Sequence, residues 1–155
     1  MTATVEALPK LFVYPGEIQV SREPAIITTI LGSCIAVCLW DQRQNIGGMN
    51  HFVLPLWNND GIPSPRYGNI AIPKLLEKMT DMGSQRRDLV AKVFGGGAVI
   101  QSASGHLNVG ERNIELARKM LTELRIPISG SSCGETHSRK IWFETETGRI
   151  KMKKS

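Results

Sequence analysis

The chain has 155 residues, 41% hydrophobic and 21% charged, with a net charge of +5 from 19 Lys and Arg against 14 Asp and Glu. That balance excludes a disordered chain and suits a single domain spanning residues 1–155 with a full-sized core. The apolar runs are too short to cross a bilayer and Lys10 interrupts the N-terminus, so a cytoplasmic protein without signal peptide or membrane-inserted segment is expected; three cysteines without a framework spacing suit the same reducing compartment.

In chain order, Leu11 to Val20 reads as a strand pair broken at Pro15-Gly16, and Ala25 to Ile30 as a β-branched strand. Ile35 to Trp40 is a continuous apolar run of strand length, and Ile46 to Leu54 is a second strand with two glycines near its start. The polar segment Asp41 to Asn45 between them predicts an antiparallel hairpin. A loop of Asp41 to Gln44 would set Cys34 directly opposite His51, with Cβ atoms roughly 4.5–5.5 Å apart. A loop one residue longer shifts that register. Leu56 to Asn69 has loop chemistry throughout and could form a rim or lid over His51. Ile72 to Met82 reads as a helix with Pro73 near its first turn and Gly83 at its end. Leu89 to Phe94 is a strand ending in Gly95-Gly96-Gly97. Asn108 and Glu111 have capping-box spacing before a helix that carries Ile114, Ala117, Leu121 and Leu124 on one stripe. Strands at Ile126 to Ile128, Lys140 to Glu144 and Arg149 to Lys153 close the chain, the last two as a hairpin at Glu146-Thr147-Gly148. Many strands and two main helices predict an α+β fold with mixed, largely antiparallel sheets.

Cys34 and His51 are the candidate chemistry. A thiolate is the nucleophile, and a neighbouring imidazole can take the thiol proton and later deliver it to a leaving group. Backbone N–H groups around Gly32 and Ser33 could hold a developing oxyanion. A catalytic histidine needs an orienting group. Thr28 and Thr29 both lie on the preceding strand, and alternation places only one of them on the Cys34 side.

Other readings are weaker. Cys34, Cys38, Cys133 and His137 form C-x3-C and C-x3-H pairs, but the first pair lies inside an apolar strand, where core packing is the simpler account. No metal is expected. Gly95-Gly96-Gly97 lacks the Lys-Ser/Thr of a phosphate loop and reads as a turn where backbones approach closely. His106 reads as a loop residue. The basic segments, Arg86, Arg87 and Lys92, and Lys140 with the C-terminal tail, have few aromatics among them. They suit a solvated face or an acidic protein partner rather than nucleic acid.

Four segments together resemble the CheD family, the chemoreceptor glutamine deamidases of bacterial chemotaxis. They are Leu31-Gly32-Ser33-Cys34-Ile35-Ala36-Val37, Gly47-Gly48-Met49-Asn50-His51-Phe52-Val53-Leu54-Pro55, Lys92-Val93-Phe94-Gly95-Gly96-Gly97-Ala98 and Asn108-Val109-Gly110-Glu111-Arg112-Asn113. The resemblance implies a sandwich fold similar to the catalytic domain of the cytotoxic necrotizing factor toxins. It implies Cys34 as nucleophile, His51 as base and Thr28 as the orienting hydroxyl, on the same face as Cys34. It further implies protein-glutamine glutaminase activity, without a cofactor, on the cytoplasmic domain of methyl-accepting chemotaxis receptors. Hydrolysis of receptor glutamyl methyl esters is implied as a second activity. So is the chemotaxis phosphatase CheC as a partner, and the alternative to an enzyme is a regulatory module that mainly binds CheC. The chain departs from the family pattern at Ser131 to Ser138, which is expected to alter a nearby loop.

Overall fold

The run Ile35 to Trp40 is continuously apolar because its strand is covered on both faces. In the computed structural model, which describes residues 7–98 and 108–155, Ile35, Val37 and Leu39 face one core and Ala36 and Cys38 face another. The strands are β1 (Lys10–Phe12), β2 (Ile18–Ser21), β3 (Ile26–Leu31), β4 (Ile35–Asp41), β5 (Ile46–Asn50), β6 (Leu89–Gly95), β7 (Ile128–Cys133), β8 (Arg139–Glu144) and β9 (Ile150–Lys154). The helices are α1 (Gly68–Asp81) and α2 (Val109–Glu123). One sheet runs β1-β3-β8-β9 and the other β2-β5-β4-β6-β7. The β1-β3 and β6-β7 pairs are parallel and the rest antiparallel, as the mixed-sheet α+β expectation requires.

The layers follow from alternation along each strand. Ile27, Leu31, Ile141 and Phe143 of the four-stranded sheet meet Ala36, Cys38, Met49 and Phe94 of the five-stranded one. The other face of the five-stranded sheet packs on Ile72, Leu75 and Met79 of α1 and on Ala117 and Leu121 of α2.

Local chemistry accounts for the element ends. Asn108 caps α2 as predicted by accepting from Glu111 N at 2.9 Å, and its side-chain amide, rather than its backbone N–H as in a full capping box, donates to Glu111 Oε1 at 2.8 Å. The strand pair expected over Leu11 to Val20 forms as two strands, β1 and β2, but they join different sheets. Helix α1 begins four residues before the expected start, so Pro73 lies inside it. The carbonyls of Leu54 and Pro55 accept from Gly68 N and Asn69 N, satisfying first-turn donors that a side-chain cap would otherwise meet. The strand expected over Ile126 to Ile128 instead runs Ile128–Cys133, because Ala91 to Gly95 of β6 offers it a parallel edge. The departure at Ser131 to Ser138 is therefore strand over Ser131 to Cys133 and loop from Gly134 to Ser138.

The hairpin register differs from the expected one by two residues. Asp41 stays in β4, paired with Ile46, and the turn is Gln42 to Asn45. Its carboxylate accepts from Arg43 N and Gln44 N at 2.9 and 3.0 Å and from Ser84 Oγ at 2.7 Å. A buried side chain so engaged holds Asp41 at the strand end rather than in the loop. The same register continues to an Ile35–Phe52 bridge, so His51 stands opposite Ala36 and diagonal to Cys34. A two-residue slip preserves the face, so both side chains still belong to the layer between the sheets.

Candidate active site

His51 is buried and continues β5 on the face of Met49. Its carbonyl accepts from Gly16 N at 2.8 Å, which seats the Pro15-Gly16 turn on it. Its Nδ1 lies 2.8 Å from Thr29 Oγ1. Thr29 in turn donates its hydroxyl proton to Val13 O at 2.6 Å. Val13 is held there by its own N–H, which bonds Thr28 O at 2.9 Å and continues the β1-β3 pairing.

This relay assigns the tautomer. A carbonyl can only accept, so the Thr29 proton is committed to Val13, and Thr29 Oγ1 must accept from His51 Nδ1–H. Nε2 then carries the free lone pair. It is buried and has no hydrogen-bond partner among the described residues. Burial lowers the His51 pKa below that of an ordinary imidazole, opposed by the Val13 carbonyl. The ring is therefore a neutral base at neutral pH.

The hydroxyl hydrogen-bonded to His51 is that of Thr29 rather than that of Thr28, to which the resemblance gave the orienting role. The Thr28 hydroxyl donates to Ile141 O at 2.7 Å on the neighbouring strand β8. Thr29 shares the inward face of β3 with Ile27 and Leu31, and Thr28 falls on the other face. Counting six positions from Thr28 to Cys34 does not carry a face across, because the chain changes sheets at Gly32-Ser33.

Cys34 is free, half-buried and packed against the core between the sheets. Burial raises its pKa, with the Arg66 charge and the Cys34 backbone opposing. Burial thus favours the neutral form of each group, the thiol of Cys34 and the imidazole of His51.

The turn carrying Cys34 is anchored by its carbonyls. Gly32 O accepts from Gly97 N at 3.0 Å, Ser33 O from Asn113 Nδ2 at 3.0 Å and Cys34 O from Gly96 N at 2.9 Å. Gly95-Gly96-Gly97 is thus the close-approach turn its composition predicted. Gly95 has φ +110°, and a Cβ there would stand 2.1 Å from Cys34 O. In a trans peptide the N–H points opposite the C=O. The N–H groups of Ser33 and Cys34 therefore face away from these anchors, and neither donates to another of the described residues.

The remaining candidates scatter. Cys38 lies in the core between the sheets, where burial pushes its thiol far up. Cys133 Sγ is 3.4 Å from Val93 O, and His137 Nε2 is 3.3 Å from Glu135 Oε2. Among the described residues no three His, Cys, Asp or Glu side chains gather where they could hold one metal ion. His106 lies outside the described residues. Among those described, no helix is long and apolar enough to cross a membrane.

Thr29 was one of the two hydroxyls the sequence left open, whereas Arg66, whose charge acts on the thiol, and Asn113 escape a reading of the sequence alone. A signal existed for Asn113, since it shares the buried stripe of α2 with Gly110, Ala117 and Leu121. A polar side chain on a buried stripe is the informative exception.

Residues 53–154 match the family model described as CheD chemotactic sensory transduction. A protein of Sulfurimonas denitrificans named "Probable chemoreceptor glutamine deamidase CheD" is 50% identical over 145 residues, 93% of each chain. One of the same name from Trichlorobacter lovleyi is 50% identical over 91% of this chain and 88% of its own. One from Rhodospirillum rubrum is 42% identical over 94% and 82%. Among solved structures, the Bacillus licheniformis hypothetical protein YfiH shares the fold with a TM-score of 0.51 at 14% identity, over 77% of this chain and 51% of that one. The matching family model and these relatives along nearly the whole chain place it in the CheD family.

Proposed function

We propose that this protein is a protein-glutamine deamidase of chemoreceptors, with Cys34 as nucleophile and His51 as base. The observation that carries the reading is the Val13–Thr29–His51 relay, which leaves His51 Nε2 deprotonated, on the face of Cys34 and without a partner among the described residues. The names of the relatives supply the substrate class.

His51 Nε2 takes the Cys34 proton as sulfur attacks the side-chain amide carbon of a receptor glutamine. The C–S bond forms, and the carbonyl π electrons move to oxygen, where the N–H groups of Ser33 and Cys34 receive them. The imidazolium returns its proton to the nitrogen as the C–N bond breaks and ammonia leaves. Water then gives a proton to His51 and attacks the thioester, and the Cys34 thiol is regenerated with a glutamate as product. Thr29 keeps the ring in one tautomer throughout, and no cofactor enters the balance.

Ester hydrolysis belongs to the same proposal, since a glutamyl methyl ester offers the same thiolate an acyl carbon and a methanol leaving group. A cytoplasmic location follows from that substrate. Binding of the phosphatase CheC is a separable surface property, which Cys34→Ala should retain.

Peptide mass spectrometry of a receptor cytoplasmic fragment tests the reading. Wild type should add about one mass unit per modified glutamine, and both Cys34→Ala and His51→Ala should add none. A folded wild type with a free Cys34 thiol that modified no receptor fragment would refute it.

A further inference from the structure

We infer that Asn113 sets the direction of the oxyanion donors and is a positioning residue for the reaction, an inference that rests on the deamidase reading above. Asn113 is fully buried on α2. Its Nδ2 donates to Ser33 O at 3.0 Å and to Val53 O at 2.9 Å. Those carbonyls belong to the two segments that carry the chemistry: Ser33 directly precedes Cys34, and Val53 lies two residues beyond His51. One amide group thus ties the nucleophile turn to the histidine strand.

The tie is directional. Drawing Ser33 C=O toward α2 turns the Cys34 N–H of the same peptide the opposite way. The neighbouring carbonyls, Gly32 O and Cys34 O, are held by backbone N–H groups of Gly97 and Gly96. Among these three anchors Asn113 supplies the side chain, so it is the anchor a substitution can remove.

The helix reaches the turn because Gly110 lies flush on the glycine loop, where a Cβ would stand 2.4 Å from Gly96 O. Asn113 Oδ1 is buried and has no partner among the described residues. An unpaired buried acceptor is destabilising, so stability alone is an incomplete account of the asparagine.

The test compares two rates in wild type, Asn113→Ala and Asn113→Leu. Alkylation of Cys34 by iodoacetamide needs the thiolate but no oxyanion donor, whereas deamidation of a receptor fragment needs both. In the variants kcat should fall about 10²–10³-fold, as when one oxyanion donor is lost, with KM and the alkylation rate changed by no more than about twofold. Unchanged kcat would overturn the inference. Parallel loss of deamidation and alkylation, or failure of both variants to fold, would assign Asn113 to the scaffold and overturn it as well. A wild type that deamidates nothing would remove the underlying reading, and this inference with it. An active wild type with unaffected variants would remove only the assignment to Asn113.

Discussion

Thr29 Oγ1 accepts from His51 Nδ1 at 2.8 Å while donating to Val13 O at 2.6 Å, so one hydroxyl both orients the imidazole and selects its tautomer. A backbone carbonyl ends the relay where a carboxylate would end it in a charged triad. Among the described residues no acidic group acts on His51, and burial lowers its pKa.

Replacing Thr29 with Val should therefore be costly and replacing Thr28 cheap. A positioned base contributes about 10²–10⁴-fold, and Thr29→Val should forfeit a tenfold to hundredfold share of it in kcat. Thr28→Val should lose only the bond to Ile141 O, about 1 kcal/mol of stability, with kcat unchanged. Steady-state kinetics and melting of the two variants check this, and the reverse order of effects would restore Thr28 to the site.

The lowered imidazole and the raised thiol have a pH signature. Protonated His51 cannot take the thiol proton, so kcat/KM should fall as pH drops through the His51 pKa. Burial places that limb below the ordinary imidazole value of 6.5. Alkylation of Cys34 should rise with pH, with its midpoint above that of an ordinary thiol. An alkylation midpoint near neutrality would show a thiolate–imidazolium pair instead.

Gly95→Ala should damage both fold and site. The residue has φ +110°, and its new Cβ would meet the carbonyl oxygen of Cys34 at 2.1 Å. Backbone strain and displacement of the nucleophile turn should together cost roughly 3–4 kcal/mol, read by denaturant unfolding. Activity at low temperature should also fall, because the displaced carbonyl belongs to Cys34 itself.

The segment between Leu56 and Tyr67 presents apolar surface near the site, with Ile62 87% exposed and Leu56 58%. It is held by its own bonds, Trp57 Nε1 to Asp60 O at 3.1 Å and Trp57 N to Asn69 Oδ1 at 2.8 Å. Deleting Asn58 to Ser64 should raise KM for a receptor fragment more than it lowers kcat. A collapse of kcat alone would place the loop in the chemistry.

Much of the arrangement was legible in the chain because it is local. The helix cap at Asn108 and Glu111, the β8-β9 hairpin at Gly148 and the two-sided burial of β4 all follow from residues a few positions apart. The shared face of Cys34 and His51 also survived the wrong register, since a slip of two residues conserves alternation.

The choice between Thr28 and Thr29 depends on facts with no local trace. β3 and β4 are consecutive in the chain but lie in different sheets, so the turn at Gly32-Ser33 breaks the parity that counting along one strand assumes. The bond from Asn113 to Ser33 spans 80 residues and exists because α2 rests against the glycine loop. Periodicity along the chain determined which side chains turn inward. Only the packing of two sheets and a helix decided which of those inward side chains meet at His51 and at the turn before Cys34, because that choice is made by contacts between elements rather than by spacing within one.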